Sequence, residues 1–98
     1  MEQTYITVDQ RTIRALGADS RINILKQLSN KPMTQTELAA KLNISPPAVN
    51  AHLHNLAEVS LVRKIDPQGR KWKYYELSEK GEAIIEPLHS RALMFTFV

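Results

Sequence analysis

The residues best equipped for chemistry lie close together in this chain. The stretch SPPAVNAHLHNL, from Ser45 to Leu56, combines two primary amides, Asn50 and Asn55, two imidazoles, His52 and His54, and the Ser45 hydroxyl. Shortly after it, Arg63, Lys64, Arg70, Lys71 and Lys73 crowd together against Asp66 alone, and Glu76, Glu79, Glu82 and Glu86 follow. An asparagine amide offers a donor and an acceptor side by side. That pair matches the exocyclic amine and ring nitrogen of adenine and discriminates by about 1–3 kcal/mol against a wrong base. Cations gathered around a glycine turn suit phosphates. The two features together point to double-stranded DNA, with Asn50 and Asn55 suited to reading bases, Ser45 and its helix N-terminus suited to a phosphate, and Lys64, Arg70, Lys71 and Lys73 on the backbone.

Other chemistries find less support. His52, His54 and His89 do not share helical spacing with carboxylates in a ligand-like cluster, and the chain has no cysteine, so neither metal nor cofactor is expected. His52 falls between the two faces of its helix and reads as a packing or orienting residue; His54 faces outward. There is no glycine-rich phosphate loop, no nucleophile elbow and no readable pair of carboxylates, so the chain is not expected to be an enzyme. Trp72, Tyr74 and Tyr75 resemble a stacking platform in type. Aromatics on a hairpin more often pack, and Tyr75 is assigned to the core, while Trp72 and Tyr74 stay open between a dimer contact and support of the hairpin.

These residues need elements to hold them. Ser45 can cap a helix, Pro46 and Pro47 fit its first turn, and Val49, Leu53 and Leu56 recur on one face. Upstream, Thr34-Gln35-Thr36-Glu37 fits a capping box for a helix over 35–42 that buries Leu38, Ala39 and Leu42. Asn43-Ile44-Ser45 makes the tight turn between the two. Asp19 or Ser20 starts an earlier helix to Leu28, with Asp19 reading as a cap and Ile22, Ile24, Leu25 and Leu28 as its stripe. Asp9 caps a short one through Leu16, with Ile13 and Leu16 inward and Gly17 as a left-handed stop. Residues 1–8 read as a strand or an ordered arm, and Met33 adds a brief strand. Downstream, 61–65 and 71–77 read as strands around the turn Asp66-Pro67-Gln68-Gly69-Arg70, with Tyr75 and Leu77 inward. Ser78 caps a last helix whose stripe of Ile84, Ile85, Leu88, Ala92 and Phe95 runs into an almost wholly apolar tail at 92–98.

Ninety-eight residues make one domain, 1–98, and a chain this short buries only about two-thirds of its unfolded surface, so a partner subunit has much to add. The terminal segments, about 1–18 and 79–98, are the expected homodimer interface. A formal net charge of +3 and a pI near 9.4 lean towards a polyanion. No signal peptide and no apolar run of bilayer length is recognisable, so a cytoplasmic location away from the membrane is expected.

The fold class that follows is mainly α with a small β-hairpin, a winged helix-turn-helix. ALGADSRINILKQL at 15–28, TQTELAAKLNISPPAVNAHLHNL at 34–56 and YYELSEKG at 74–81 resemble the first core helix, the helix-turn-helix and the wing exit of the ArsR-like bacterial and archaeal regulators. The resemblance implies that the helix at 45–58 enters the major groove with Ser45, Pro47, Ala48, Asn50, Ala51, His54 and Asn55, and that the wing, 62–77, with Gln68, Gly69, Arg70 and Lys71 at its tip, meets phosphates or an adjoining minor groove. Metal-binding cysteines of that family have no counterpart here, where Ala39, Ala40 and Lys41 stand. A second departure is that 46–58 contains no Arg or Lys. Affinity is therefore expected from the wing, the helix N-termini and avidity, and preference for A·T pairs or shape over G·C contacts. A homodimeric repressor is the expected function. The alternative is a winged helix that contacts another protein, and nothing in the sequence names an inducer.

Overall fold

The computed structural model describes residues 8–66 and 72–89. Its elements run α1 (Gln10–Ala15), α2 (Asp19–Leu28), β1 (Met33–Thr34), α3 (Gln35–Leu42), α4 (Pro46–Glu58), β2 (Val62–Ile65), β3 (Tyr74–Leu77) and α5 (Glu79–His89). The strands form an antiparallel sheet in the order β1-β3-β2, with Met33 opposite Tyr75 and Val62 opposite Leu77. This is the winged helix-turn-helix expected from the sequence. The arm at 1–7, the wing tip at 67–71 and the apolar tail at 92–98 lie outside the described residues.

One core joins the elements. Ile24 and Leu25 of α2, Leu38 of α3, Val49, Leu53 and Leu56 of α4, Leu61 before β2 and Ile85 of α5 are all essentially inaccessible. The three-and-four spacing in α2 and α4 dictates this, because it collects apolar side chains on one side of a helix. Burying a Leu, Ile or Val side chain contributes about 1.5–3 kcal/mol.

Local signals set most boundaries. Thr34 Oγ1 accepts from Glu37 N–H at 3.1 Å while Glu37 Oε1 accepts from Thr34 N–H at 2.9 Å, closing the capping box. The Thr34 N–H first, and the Thr34 hydroxyl after it, hold the Glu37 carboxyl below its ordinary range. Asn43 ends α3 in the left-handed conformation at φ 55°, which asparagine tolerates and most residues do not. Ser45 Oγ accepts from Ala48 N–H at 3.2 Å and starts α4. Gln35 Nε2 donates to the Pro46 carbonyl at 3.0 Å, so the beginnings of α3 and α4 are tied directly across the turn.

Four expectations are corrected. In α1 the inward residues are Thr12 and Ala15, and Ile13 is 59% exposed. The buried Thr12 is satisfied: its hydroxyl hydrogen-bonds to Asp9 Oδ1 at 2.8 Å and accepts from Lys80 Nζ at 2.9 Å. Gly17 does not adopt a positive φ, and α1 ends on Leu16 in the right-handed region. The helix α2 runs from Asp19 to Leu28 as expected, but its N-cap is Ala18, which has no side-chain acceptor to offer, so Asp19 is not its cap. The second strand is shorter than 71–77, since β1 and β2 pair with β3 only as far as Tyr74, and Trp72 and Lys73 precede the ladder.

The end of α4 is held by contacts no local pattern announces. Ser60 adopts φ 63° and its carbonyl accepts from Ser78 Oγ at 2.5 Å. Leu61 then offers its carbonyl to Ser78 N–H at 3.0 Å, and Gly81 N–H returns to Ser78 Oγ at 2.9 Å. Lys80 donates to the Val59 carbonyl at 2.9 Å as well as to Thr12, so one ammonium joins α1, the C-terminus of α4 and α5. A cation there also complements the negative end of the α4 dipole.

Candidate nucleic-acid interface

The helix α4 turns Val49, Leu53 and Leu56 into the core and leaves Pro47, Asn50, Ala51, His54 and Asn55 exposed, with Ala48 half-buried at the edge. Sequence spacing alone puts Asn50, His54 and Asn55 outward, and the family resemblance adds Pro47, Ala48 and Ala51. Exposure together with small size at Ala51 and Ala48 lets a neighbouring surface come close to the helix backbone. Asn50 and His54 share a recess of about 250 Å³ with Leu53, Ala57, Lys64 and Tyr75. Asn50 and Lys64 also line an adjoining recess of about 380 Å³ with Thr36, Trp72 and Lys73 among its walls. The recognition-type helix, β2 and the start of β3 thus form one continuous face, with amides on the helix and amines on the sheet.

The sheet positions its cations unequally. Arg63 and Lys64 are both exposed on β2, but Arg63 is drawn to Glu76 across the ladder, Nη2 to Oε2 at 2.8 Å. Lys64 sits opposite Tyr75 in the register and faces α4. Lys73 meets Asp66 at 3.2 Å, an exposed pair of the kind that contributes little and exchanges readily. Arg70 and Lys71, expected at the wing tip with Gln68 and Gly69, lie outside the described residues. Tyr75 packs partly against the core, and Trp72 is 57% exposed beside Lys73.

The geometry around the helix bears on two of its residues, Ser45 and His52. Residues 46–49, the first turn of α4, offer no free backbone N–H to a phosphate. Pro46 and Pro47 have no N–H, Ala48 N–H is taken by Ser45 Oγ, and Val49 N–H by the Ser45 carbonyl at 3.0 Å. An anion site at a helix start depends on those groups, so Ser45 here is a cap first. His52, read as a packing or orienting residue, is half-buried with Nδ1 unpartnered among the described residues. Burial, reinforced by the nearby Arg21 guanidinium, holds its imidazole below the ordinary histidine value.

On the opposite flank of α4 lies a feature that sequence reasoning missed. Arg11 and Arg14 of α1 and Arg21 of α2 meet Asn55 and Glu58 of α4 around an open recess of about 470 Å³. In the sequence Arg11 and Arg14 stand on one short helix and Arg21 on the next; only the packing of α1 and α2 beside α4 brings them together around Asn55 and Glu58. Among the described residues no group of His, Cys, Asp or Glu could hold a metal ion, and no helix is long and apolar enough to cross a membrane.

Known proteins agree with this architecture. A family model described as bacterial regulatory protein, arsR family, matches residues 19–64. The transcriptional regulator HlyU from Vibrio vulnificus is 34% identical over 81% of each chain, with a TM-score of 0.70. Reduced HlyU from Vibrio cholerae is 29% identical over 81% of this chain and 82% of its own, with a TM-score of 0.72. The adhesin competence repressor AdcR from Streptococcus pyogenes is 27% identical at a TM-score of 0.66, and this chain spans 59% of its length. No curated protein sequence matches the chain significantly.

Proposed function

The chain belongs to the ArsR family of bacterial regulatory proteins, and we propose that it acts as a homodimeric, sequence-specific repressor on double-stranded DNA. The observation that carries this reading is the division of α4 into a buried apolar face and an exposed row of Asn50, Ala51, His54 and Asn55, bordered by Lys64 and Lys73. A helix with side chains is about 10–12 Å across, and the B-DNA major groove is about 12 Å wide. Asn50 and Asn55 select bases, His54 contacts a base or phosphate, and the small Pro47, Ala48 and Ala51 allow close approach. Lys64, Lys73, Arg70 and Lys71 hold the backbone from the wing. Repression is supported by analogy with the adhesin competence repressor.

Two subunits would present their helices to half-sites about 34 Å apart. Support for a dimer comes from the exposed apolar Val8 and Ile13 at the N-terminal segment, 47% and 59% accessible. The segments about 1–18 and 79–98 remain the proposed interface. Nothing in the arrangement calls for a cofactor, and the site of action is the cytoplasm.

Selection of bound sequences from a random duplex pool tests binding, symmetry and spacing together. A two-fold symmetric site is expected, and Asn50→Ala should relax preference at one position per half-site while Lys64→Ala weakens all sequences alike. An α4 without Arg or Lys suits a protein partner too; absence of any duplex binding at low salt would decide for that second reading.

A further inference from the structure

On the DNA reading above, α4 is short of cationic help: it contains no Arg or Lys, and its first turn, residues 46–49, has no free backbone N–H. The recess on its far flank has what α4 lacks. Arg11, Arg14 and Arg21 converge there against a single carboxylate, Glu58. Among the described residues the ion pairs join Arg63 to Glu76 and Lys73 to Asp66, and none engages these arginines. The charge of Arg11 also acts on the Asp9 carboxyl, whose lowered pKa comes first from its hydrogen bonds to Thr12.

Arg21 carries the clearest mark of an unmet need. Its Nε is buried and has no hydrogen-bond partner among the described residues, although a buried donor of a charged group is costly to leave unpaired. The same guanidinium lies near enough to His52 to disfavour the imidazolium, and no ion pair among the described residues offsets its charge. A planar guanidinium binds a phosphate through two parallel N–H groups, which an ammonium does not do.

Position identifies the source of the phosphate. Asn50 and His54 border the sheet side of α4 with Lys64, whereas Asn55 and Glu58 border the arginine side. A helix that fills the major groove sets its two flanks against the two phosphate rows that bound the groove. We propose that the recess of Arg11, Arg14 and Arg21 takes a backbone phosphate of the bound DNA on the side of α4 opposite the wing, so that the reading helix is clamped from both strands. The recess is open to solvent, which suits a polymer crossing it better than a solute that needs enclosure.

The test uses the full chain with Arg11→Gln and Arg14→Gln combined, both at exposed positions, and a separate Arg21→Gln. Affinity for one duplex is measured across salt concentration. Removing one phosphate interaction changes the slope of log affinity against log salt by about 0.9. The double variant should show a shallower slope, weaker binding to every sequence tested and an unaltered base preference, with thermal unfolding like that of wild type. Wild-type slope and affinity in the double variant would overturn the clamp while leaving DNA binding intact; a wild-type protein that binds no duplex would instead remove the underlying reading. In a second arm, inorganic phosphate is titrated into the wild type at constant ionic strength and followed by arginine side-chain NMR shifts. Saturable phosphate binding that disappears in the double variant, with an unchanged DNA slope, would assign the recess to a free phosphorylated solute and refute the backbone source.

Discussion

Replacing Gly81 by alanine should destabilise the fold even though alanine is the better helix residue by about 1 kcal/mol. A Cβ at this position in α5 would stand 2.2 Å from the Leu61 carbonyl oxygen, 3.2 Å from its carbonyl carbon and 3.3 Å from Leu77 Cδ2. The nearest atom is backbone and cannot swing aside. Leu61 is fully buried, and its carbonyl is already held by Ser78 N–H at 3.0 Å. Carbon and oxygen approach no closer than about 3.3 Å in even a weak C–H···O contact, so α5 must retreat by about 1 Å. Overpacking of this kind costs about 1–3 kcal/mol. Loss of the Ser78–Leu61 hydrogen bond adds about 1 kcal/mol, and helix propensity returns about as much. The net is a loss of about 2 kcal/mol, dominated by the packing strain. For a domain of this size that lowers Tm by about 8–16 °C. Urea denaturation and a thermal scan measure both quantities, with Gly17→Ala as comparison, since Gly17 is exposed and its added Cβ would lie 3.2 Å from Arg14 O. A Gly81→Ala protein as stable as wild type would refute the close approach of α5 to the base of the wing.

Three further outcomes are expected. Lys80→Ala should lose about 1–3 kcal/mol in urea denaturation, because the Val59 carbonyl and the buried Thr12 hydroxyl lose a shared donor; an unchanged midpoint would show that the stitch is idle. Glu58→Gln should tighten duplex binding by about fivefold at low salt, the scale of one exposed charge pair at contact distance, and by less at high salt. Equal affinities in a fluorescence titration would place Glu58 away from the phosphates. His52 binds its proton more weakly folded than unfolded, so the stability tied to it is complete above the ordinary histidine pKa and is lost as pH falls through that value towards the lower folded one. Wild type should therefore weaken relative to His52→Gln between about pH 7.5 and 5.5. Parallel stability curves for the two proteins would contradict that burial.

The local elements were legible in the sequence because their causes are local. The Thr34–Glu37 capping box, the Ser45 cap with two prolines, and the apolar spacing in α2 and α4 each act within a few residues, and each element appears where its signal stands. The outward row on α4 followed from the same arithmetic, since fixing Val49, Leu53 and Leu56 inward leaves Asn50, His54 and Asn55 outward. In α1 the same reasoning failed. A six-residue helix has room for two inward positions, and a Thr12 hydrogen-bonded to both Asp9 and Lys80 took the place an apolar Ile13 was expected to hold. Burial of a polar group is decided by whether distant partners can satisfy it, and that information is not in the helix itself.

The sequence by itself thus determined that SPPAVNAHLHNL is a helix with one buried and one exposed face, and that the hairpin after it is basic. Tertiary structure decided what stands beside that helix. It brought Lys64 to the Asn50 side and gathered Arg11, Arg14 and Arg21, from two other helices, on the Asn55 side. Charge clustering across helices depends on how their apolar faces pack against one core, so it becomes visible only when the core is assembled.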